Sequence, residues 1–256
     1  MRQGATMPRT VGWFSCGAAS AVAMKLTMPD VIAYCETGSE DEDNQRFLED
    51  CEDWFGRHVT RLKSDKYDST WEVWEARKYI AGIAGAPCTS ELKIAPRLAF
   101  QKPDDIHIFG YTADWRDVDR AQALRENWPD LTTQYPLIDK GLTKAACLAM
   151  IERAGILPPR VYEMGYANAN CIPCCKATSP DYWALVRKEH PAEFARMVEI
   201  CRRLGARLAR VNNERVFIDE VPADQPTTEP LAPDCDFLCG IAEQEMSVCE
   251  AKAGDE

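Results

Sequence analysis

Residues 9–25 have the sequence RTVGWFSCGAASAVAMK, in which an apolar run is followed by small residues and then by a helical pattern. The apolar run at 9–15 is rich in β-branched and aromatic side chains, which favours a strand. The small residues at 15–20 permit a tight turn, and a helix is expected at 18–25. Such a strand, turn and helix can bind an anion, because the helix N-terminus offers unpaired N–H groups and the positive end of the helix dipole.

Three further segments have the composition of strands, and helical patterns lie between or after them. The strands are expected at residues 30–35, 58–62 and 105–110, and the other helices at 43–55, 114–127 and 143–154. Strands that alternate with helices through short links predict a Rossmann-like, doubly wound α/β fold with a mostly parallel sheet. Ligands of such folds bind beyond the carboxyl ends of the strands, where the strand order reverses.

The character of the chain changes near residue 155. Pro158 and Pro159 interrupt the helical pattern, and cysteines cluster at 171–175. Further helices are expected at 181–189 and 191–204. The last 28 residues carry eight acidic residues and one Lys. We therefore expect three parts: an α/β domain at 1–155, a helical cysteine-bearing region at 156–228 and an acidic, cysteine-containing tail at 229–256.

Charge and hydropathy exclude some classes of function. The 256-residue chain has 30 Lys and Arg against 41 Asp and Glu, a formal net charge of −11. Such a surface repels phosphate backbones, which argues against a general nucleic-acid-binding protein and favours a small anion in a pocket. The longest apolar run, residues 145–151, is far shorter than the roughly 18 residues of a membrane span, so no membrane partner is expected.

The cysteine content bears on the compartment. Ser15, Gly17 and Ser20 interrupt the apolar stretch that follows Arg9, which favours a turn over a secretion signal. A reducing, cytoplasmic compartment is therefore expected. The 12 cysteines are then catalytic, metal-bound or buried thiols rather than a disulfide framework.

Four segments, in this order, resemble the phosphoadenosine phosphosulfate (PAPS) reductase family of the adenine nucleotide α-hydrolase-like superfamily. They are SCGAAS at 15–20, ETGSEDEDN at 36–44, CTSELKIAP at 88–96 and GYTADWRDVDR at 110–120. The resemblance implies a modified phosphate-binding loop (PP-loop) that holds an adenosine nucleotide on residues 1–155. The candidate nucleotide-binding residues are Ser15, Cys16, Gly17, Ala18, Ser20, Glu36, Thr37, Gly38, Lys93, Gly110, Arg116 and Arg120.

Two basic pairs are spaced by four residues on the expected helices, Lys93 with Arg97 and Arg116 with Arg120. A guanidinium offers paired donors to a tetrahedral oxyanion, so both pairs are candidate clamps for phosphate or sulfate. The alternative is surface pairing with neighbouring acidic residues. For residues 39–44 the alternative is helix capping, with Asp43 as the N-cap.

Ala19 bears on the choice of nucleotide. ATP pyrophosphatases of the superfamily usually carry an Asp just before the final Ser of the loop, where it helps to hold Mg²⁺, and a carboxylate is the natural ligand of that ion. PAPS reductases also lack this Asp. Ala19 therefore favours a sulfonucleotide, either PAPS or its 3′-dephospho analogue adenosine phosphosulfate (APS), over ATP.

The cysteines suggest a metal centre. Four thiolates can hold a zinc ion or a 4Fe-4S cluster, and a C-x-x-C pair supplies half of the ligands. The resemblance favours the cluster over zinc, although the spacing differs from that of cluster-containing sulfonucleotide reductases. Two alternatives stay open, a redox dithiol and plain buried cysteines. The expected ligands are Cys88, Cys171, Cys174, Cys175 and Cys235.

Cys239-Gly240-Ile241 resembles part of the family's C-terminal motif, whose cysteine attacks the sulfur of the nucleotide. Its flanking residues differ from the family's, and Cys239 is also a candidate cluster ligand, so both roles stay open. The resemblance implies an oxidoreductase that reduces the sulfonate to sulfite, with a thioredoxin-type dithiol as reductant. The alternatives are an ATP-dependent sulfur transferase acting on tRNA or DNA, and a nucleotide- or cluster-binding partner without turnover. The oligomeric state is left open, a homo-oligomer included.

Overall fold

A five-stranded parallel sheet forms the centre of the computed structural model, which describes residues 7–83, 85–234 and 237–253. The sheet has the order β3-β2-β1-β4-β5. The chain first builds outward from β1 to β3 and then crosses to the other side of β1 for β4, so the strand order reverses between β1 and β4. This confirms the predicted doubly wound α/β fold. The strands are β1 (Thr10–Phe14), β2 (Val31–Cys35), β3 (Thr60–Leu62), β4 (Ile106–Phe109) and β5 (Thr132–Gln134).

Helices cover both faces of this sheet and form the C-terminal region, in agreement with the expected helical segments. A π-helical turn, Ser90–Ile94, joins α4 to α5, and β6 (Ala209–Val211) pairs with β7 (Glu214–Val216) in a separate antiparallel hairpin. Single 3₁₀ turns lie at Arg160–Tyr162 and Ile218–Glu220. The helices are α1 (Ala18–Thr27), α2 (Asn44–Phe55), α3 (Thr70–Arg77), α4 (Pro87–Thr89), α5 (Ala95–Phe100), α6 (Trp115–Asn127), α7 (Pro136–Asp139), α8 (Lys144–Arg153), α9 (Pro180–Glu189), α10 (Pro191–Leu204) and α11 (Phe237–Ala253).

The register aligns the carboxyl ends of three strands. Phe14 of β1 pairs with Tyr34 of β2, and Trp13 of β1 pairs with Phe109 of β4. The segments that follow β1, β2 and β4 therefore start at the same edge of the sheet. These segments contain three of the four motifs singled out in the sequence.

Two apolar clusters hold the elements together. The first lies between the sheet and the helices α1, α2 and α8, and Phe14, Met24 and Phe47 are among its buried members. The second packs Trp74 of α3 against Trp183 of α9 and the helix α10. The C-terminal helices thus contact part of the first 155 residues, and the division of the chain into three parts stays a prediction. No helix in the described ranges combines the length and the apolar character that a bilayer span requires.

Candidate functional site

The predicted phosphate loop, residues 15–20, lies at the carboxyl end of β1, where the strand order reverses. Cys16 has a left-handed φ of 52°, which turns the chain sharply into α1. The Ser20 Oγ accepts the N–H groups of Ser15 at 3.1 Å and Gly17 at 3.4 Å, and donates to the Gly17 carbonyl at 2.9 Å. Ser20 therefore holds the turn closed from inside, whereas Ser15 is exposed at its opening.

Tyr162 reaches the same loop from far along the chain. Its Oη accepts the N–H of Ala18 at 3.2 Å and also bonds the backbone of Ala169. Burial raises the pKa of Tyr162 to about 12, so the phenol is neutral at physiological pH. Sequence reasoning missed this residue, because no motif surrounds it and only the packing of residues 160–170 over α1 brings it to the loop.

Gly110, directly after β4, touches the first turn of α1. A Cβ at this position would lie 2.5 Å from the Cα of Ser20 and 2.8 Å from its nitrogen. Both contacts are with backbone, which cannot move aside as a flexible side chain can. The structure therefore places Gly110 against the phosphate loop, and glycine permits the end of β4 to approach α1 this closely.

The segment after β2 forms a second turn beside the loop. Glu40 accepts the N–H groups of Thr37 at 2.9 Å and Ser39 at 3.0 Å, which ties the turn together. Gly38 has a φ of 61°, and a Cβ there would meet the carbonyl of Asp68. Glu36 is held by Lys63 at 2.7 Å.

The alternative role of residues 39–44, helix capping with Asp43 as the N-cap, is seen only in part. Asp43 occupies the N-cap position of α2, but its carboxylate binds Arg46 at 2.7 Å instead of an N–H group of the helix. The same carboxylate accepts the backbone N–H of Arg160 at 2.9 Å. Asp43 therefore links α2 to the segment that carries Tyr162.

Lys93 approaches this second turn from the π-helical turn. Burial alone lowers the pKa of Lys93, but the acidic groups that face it, Cys171 and Glu40 foremost, raise it above its ordinary value. Lys93 is therefore a protonated cation at neutral pH. Because the Thr37 Oγ1 lies 2.9 Å from the Cys171 Sγ, the structure brings the turn after β2, the CTSELKIAP segment and the C-x-x-C segment together.

Two of the three arginines of α6, Arg116 and Arg120, lie on the surface. Arg120 donates to Asp117 at 2.8 Å with 59% of its side chain exposed, which is the surface pairing considered as the alternative from the sequence. Arg116 stacks over the exposed ring of Trp115, with 5.2 Å between the guanidinium carbon and the ring centroid. A role for either arginine in nucleotide binding stays a prediction.

Two of the expected metal ligands, Cys88 and Cys175, form a thiol pair. The Sγ atoms of Cys88 and Cys175 lie 3.6 Å apart. Their hydrogen bond lowers the pKa of Cys88 and raises that of Cys175. Among the described residues, no group of three or more His, Cys, Asp or Glu side chains is placed to hold one metal ion. The described residues thus do not support the expected 4Fe-4S cluster or zinc site, and Cys235 lies outside the described residues.

Cys239 lies on α11, which packs against α1 and α8. Its side chain is buried and disulfide-bonded. A nucleophilic role for Cys239 would therefore require its reduction first. That role stays a prediction, as does the alternative of a cluster ligand.

A cavity of about 490 Å³ lies beside the thiol pair. Cys175, Lys176, Arg207 and Arg215 contribute to its lining. Residues of the phosphate loop do not line this cavity, so it is separate from the predicted nucleotide position.

The comparisons with known proteins are few. No model of a protein family matches the chain, and no curated protein matches it. Among solved structures, the chain is similar to the crystal structure of phosphoadenylyl-sulfate (PAPS) reductase from Candida auris in its phosphate complex. The TM-score is 0.49 at 15% identity, over 65% of this chain and 82% of that chain.

Proposed function

We propose that the chain is an enzyme that binds an adenosine sulfonucleotide at the carboxyl edge of its sheet and reduces the sulfonate to sulfite. The observation that supports this most is the position of the loop at residues 15–20, which lies where the strand order reverses between β1 and β4. Ligands of doubly wound folds bind at that point, and the start of a helix favours an anion.

Several of the candidate residues have distinct roles in this proposal. The exposed hydroxyl of Ser15 and the protonated ammonium of Lys93 contact the phosphates. Ser20 and Gly110 keep the loop in shape, the first by hydrogen bonds and the second by close approach. The turn at residues 36–38, at the end of β2, lies where the nucleoside of such a ligand binds.

The proposed reaction uses thiols alone. A cysteine thiolate attacks the sulfur, the bond between sulfur and the bridging oxygen breaks, and the adenosine phosphate leaves with the electron pair. A thioredoxin-type dithiol then attacks the sulfur of the S-sulfonated cysteine and releases sulfite. The second thiol resolves the mixed disulfide, so the dithiol loses the two electrons that the sulfonate gains. Cys239 is the proposed nucleophile, once reduced.

The test is sulfite release under anaerobic, reducing conditions with PAPS or APS and a thioredoxin system. We expect one sulfite for each adenosine phosphate released. Cys239→Ser should abolish the reaction, whereas Cys201→Ser, which changes a buried thiol on α10, should retain it. Activity in Cys239→Ser that is lost in Cys88→Ser would reassign the nucleophile.

Absence of sulfite with both donors would refute the proposed reaction. Nucleotide binding without turnover would then indicate the non-catalytic alternative. Isothermal titration with each donor measures binding of the nucleotide directly. It therefore separates a failure to bind from a failure to react.

A further inference from the structure

The thiol pair of Cys88 and Cys175 is not used by the proposed reaction. Its two Sγ atoms lie 3.6 Å apart although 87 residues separate the cysteines in sequence. Both thiols are free, and Cys88 is partly accessible to solvent. Because an S–S bond is about 2.0 Å long, a modest shift of the two side chains would join them. The geometry therefore suits a pair that can be oxidised to a disulfide and reduced again.

Hydrogen-bond donors surround the sulfur of Cys88. Besides the Cys175 thiol, the indole N–H of Trp74 and the backbone N–H of Thr89 lie close enough to stabilise negative charge on this sulfur. Trp74 is fully buried, and its indole nitrogen makes no hydrogen bond of ordinary length with any described residue. A sulfur that attacks or leaves during thiol–disulfide exchange carries negative charge. These donors therefore favour exchange chemistry over an inert pair of buried thiols.

The cavity of about 490 Å³ lies next to this pair, with Cys175 in its lining. Its volume is within the range of small-molecule sites, roughly 300–1,000 Å³. Three cations, Lys176, Arg207 and Arg215, contribute to the lining, and no carboxylate of the described residues does. None of the three forms an ion pair within the described ranges, and Arg215 donates to the carbonyl of Leu208 at 2.8 Å. The lining is therefore positive in a chain whose net charge is −11.

We propose that the thiol pair and this cavity form a thiol–disulfide exchange site for a small disulfide that carries carboxylates. One half of the disulfide occupies the cavity, with its carboxylates toward the three cations and its sulfur against the thiol pair. The phosphate loop does not line this cavity. The exchange site is therefore independent of the nucleotide and of the proposed function.

The exchange takes place in two steps. A thiolate of the pair attacks one sulfur of the substrate, the S–S bond of the substrate breaks, and the other half leaves as a thiolate with the electron pair. The second thiol of the pair loses its proton to water and attacks the protein sulfur of the mixed disulfide, which releases the remaining half as a thiolate. The protein dithiol thus loses the two electrons that the substrate disulfide gains.

The first experiment treats the fully reduced chain with glutathione disulfide and maps the products by mass spectrometry. We expect a disulfide between Cys88 and Cys175. Cys88→Ser and Cys175→Ser should each prevent this disulfide and leave glutathione bound to the remaining cysteine of the pair. Cys201→Ser, which changes a buried thiol on α10, should leave the disulfide intact. A link between Cys171 and Cys174 instead, or no reaction at either thiol of the pair, would overturn the proposal.

The second experiment tests the role of the cations without altering the thiols. It compares the rate of oxidation by glutathione disulfide with the rate for the same disulfide after its carboxylates are esterified. We expect the free acid to react about tenfold faster or more at low ionic strength, and this preference to shrink as salt is added. The preference would be local, because a net charge of −11 repels anions elsewhere.

Arg207→Gln should slow the reaction of the free acid about threefold or more and leave that of the ester unchanged. The matched control is Arg210→Gln, which changes an exposed arginine of β6 that does not line the cavity and should affect neither rate. Equal rates for acid and ester in the native chain, or the same loss in both arginine variants, would refute the cavity as the carboxylate site. Sulfite release should be the same in Arg207→Gln as in the native chain, so the proposed function is tested separately.

Discussion

The hydroxyl of Tyr162 accepts the backbone N–H of Ala18 at 3.2 Å, although 144 residues separate the two in sequence. The first N–H groups of a helix have no acceptor within the helix. Tyr162 therefore caps α1 from a distant part of the chain and holds residues 160–170 over the phosphate loop.

Tyr162→Phe removes this acceptor and leaves the buried N–H of Ala18 without one. We expect the free energy of unfolding to fall by about 1–3 kcal/mol, measured by urea denaturation followed by circular dichroism. The control is Tyr79→Phe, which changes a surface tyrosine and should cost less than about 0.5 kcal/mol. Equal losses in the two variants would contradict the capping role.

Gly110→Ala places a Cβ against the backbone of Ser20, only 2.5 Å from its Cα. We expect a loss of about 1–3 kcal/mol in the free energy of unfolding, because the end of β4 must move away from α1. Binding of the nucleotide should weaken in the same variant. Gly240→Ala, in α11 with no atom within 4 Å of its Cβ position, should instead be neutral or slightly stabilising. Unchanged stability of Gly110→Ala would show that the two elements are not held this closely.

The lowered pKa of Asp105 predicts how the free energy of unfolding depends on pH. Burial alone raises its pKa, but hydrogen bonds from Arg9 and from the N–H of Lys102 outweigh this and lower it. A carboxyl whose pKa is lower in the folded than in the unfolded state, where it is about 3.9, stabilises the protein above that value. This stabilisation disappears as the pH falls through the folded pKa.

Asp105→Asn should therefore lower the free energy of unfolding by about 1–3 kcal/mol at pH 7 and by much less near pH 2. Urea titrations at a series of pH values measure this difference. The control is Asp104→Asn, which changes the exposed neighbour and should have little effect at either pH. A cost of Asp105→Asn that is independent of pH would rule out the ionised carboxylate as its source.

The lowered pKa of Cys88 predicts selective reactivity. The thiolate is the nucleophile, so Cys88 should react with iodoacetamide at neutral pH faster than an ordinary thiol, and more slowly as the pH falls through its pKa. Cys175→Ala removes the hydrogen bond that stabilises this thiolate and should slow alkylation at pH 7 about tenfold or more. Peptide mapping by mass spectrometry gives the rates, with the buried Cys201 as internal reference. A rate at Cys88 that Cys175→Ala leaves unchanged would contradict the shared hydrogen bond.

Local patterns predicted most of the sheet and its first helices. The strand at residues 10–14, the turn of small residues and the helix after it follow from alternation, residue size and helical period, which are properties of adjacent residues. The strand Thr132–Gln134 was not predicted, because three polar residues show no alternation and become a strand only by pairing with β4.

The sequence also predicted that a ligand would bind beyond the carboxyl ends of the strands, and the structure shows that the segments after β1, β2 and β4 start at this common edge. Local patterns could not predict which distant residues contact the motif residues. Only the packing of the elements shows that Tyr162 caps α1, that Cys88 lies against Cys175, and that two buried N–H groups of Arg97 have no acceptor among the described residues. These relationships involve residues that are far apart in sequence, and they depend on the distances between packed elements rather than on any repeat along the chain.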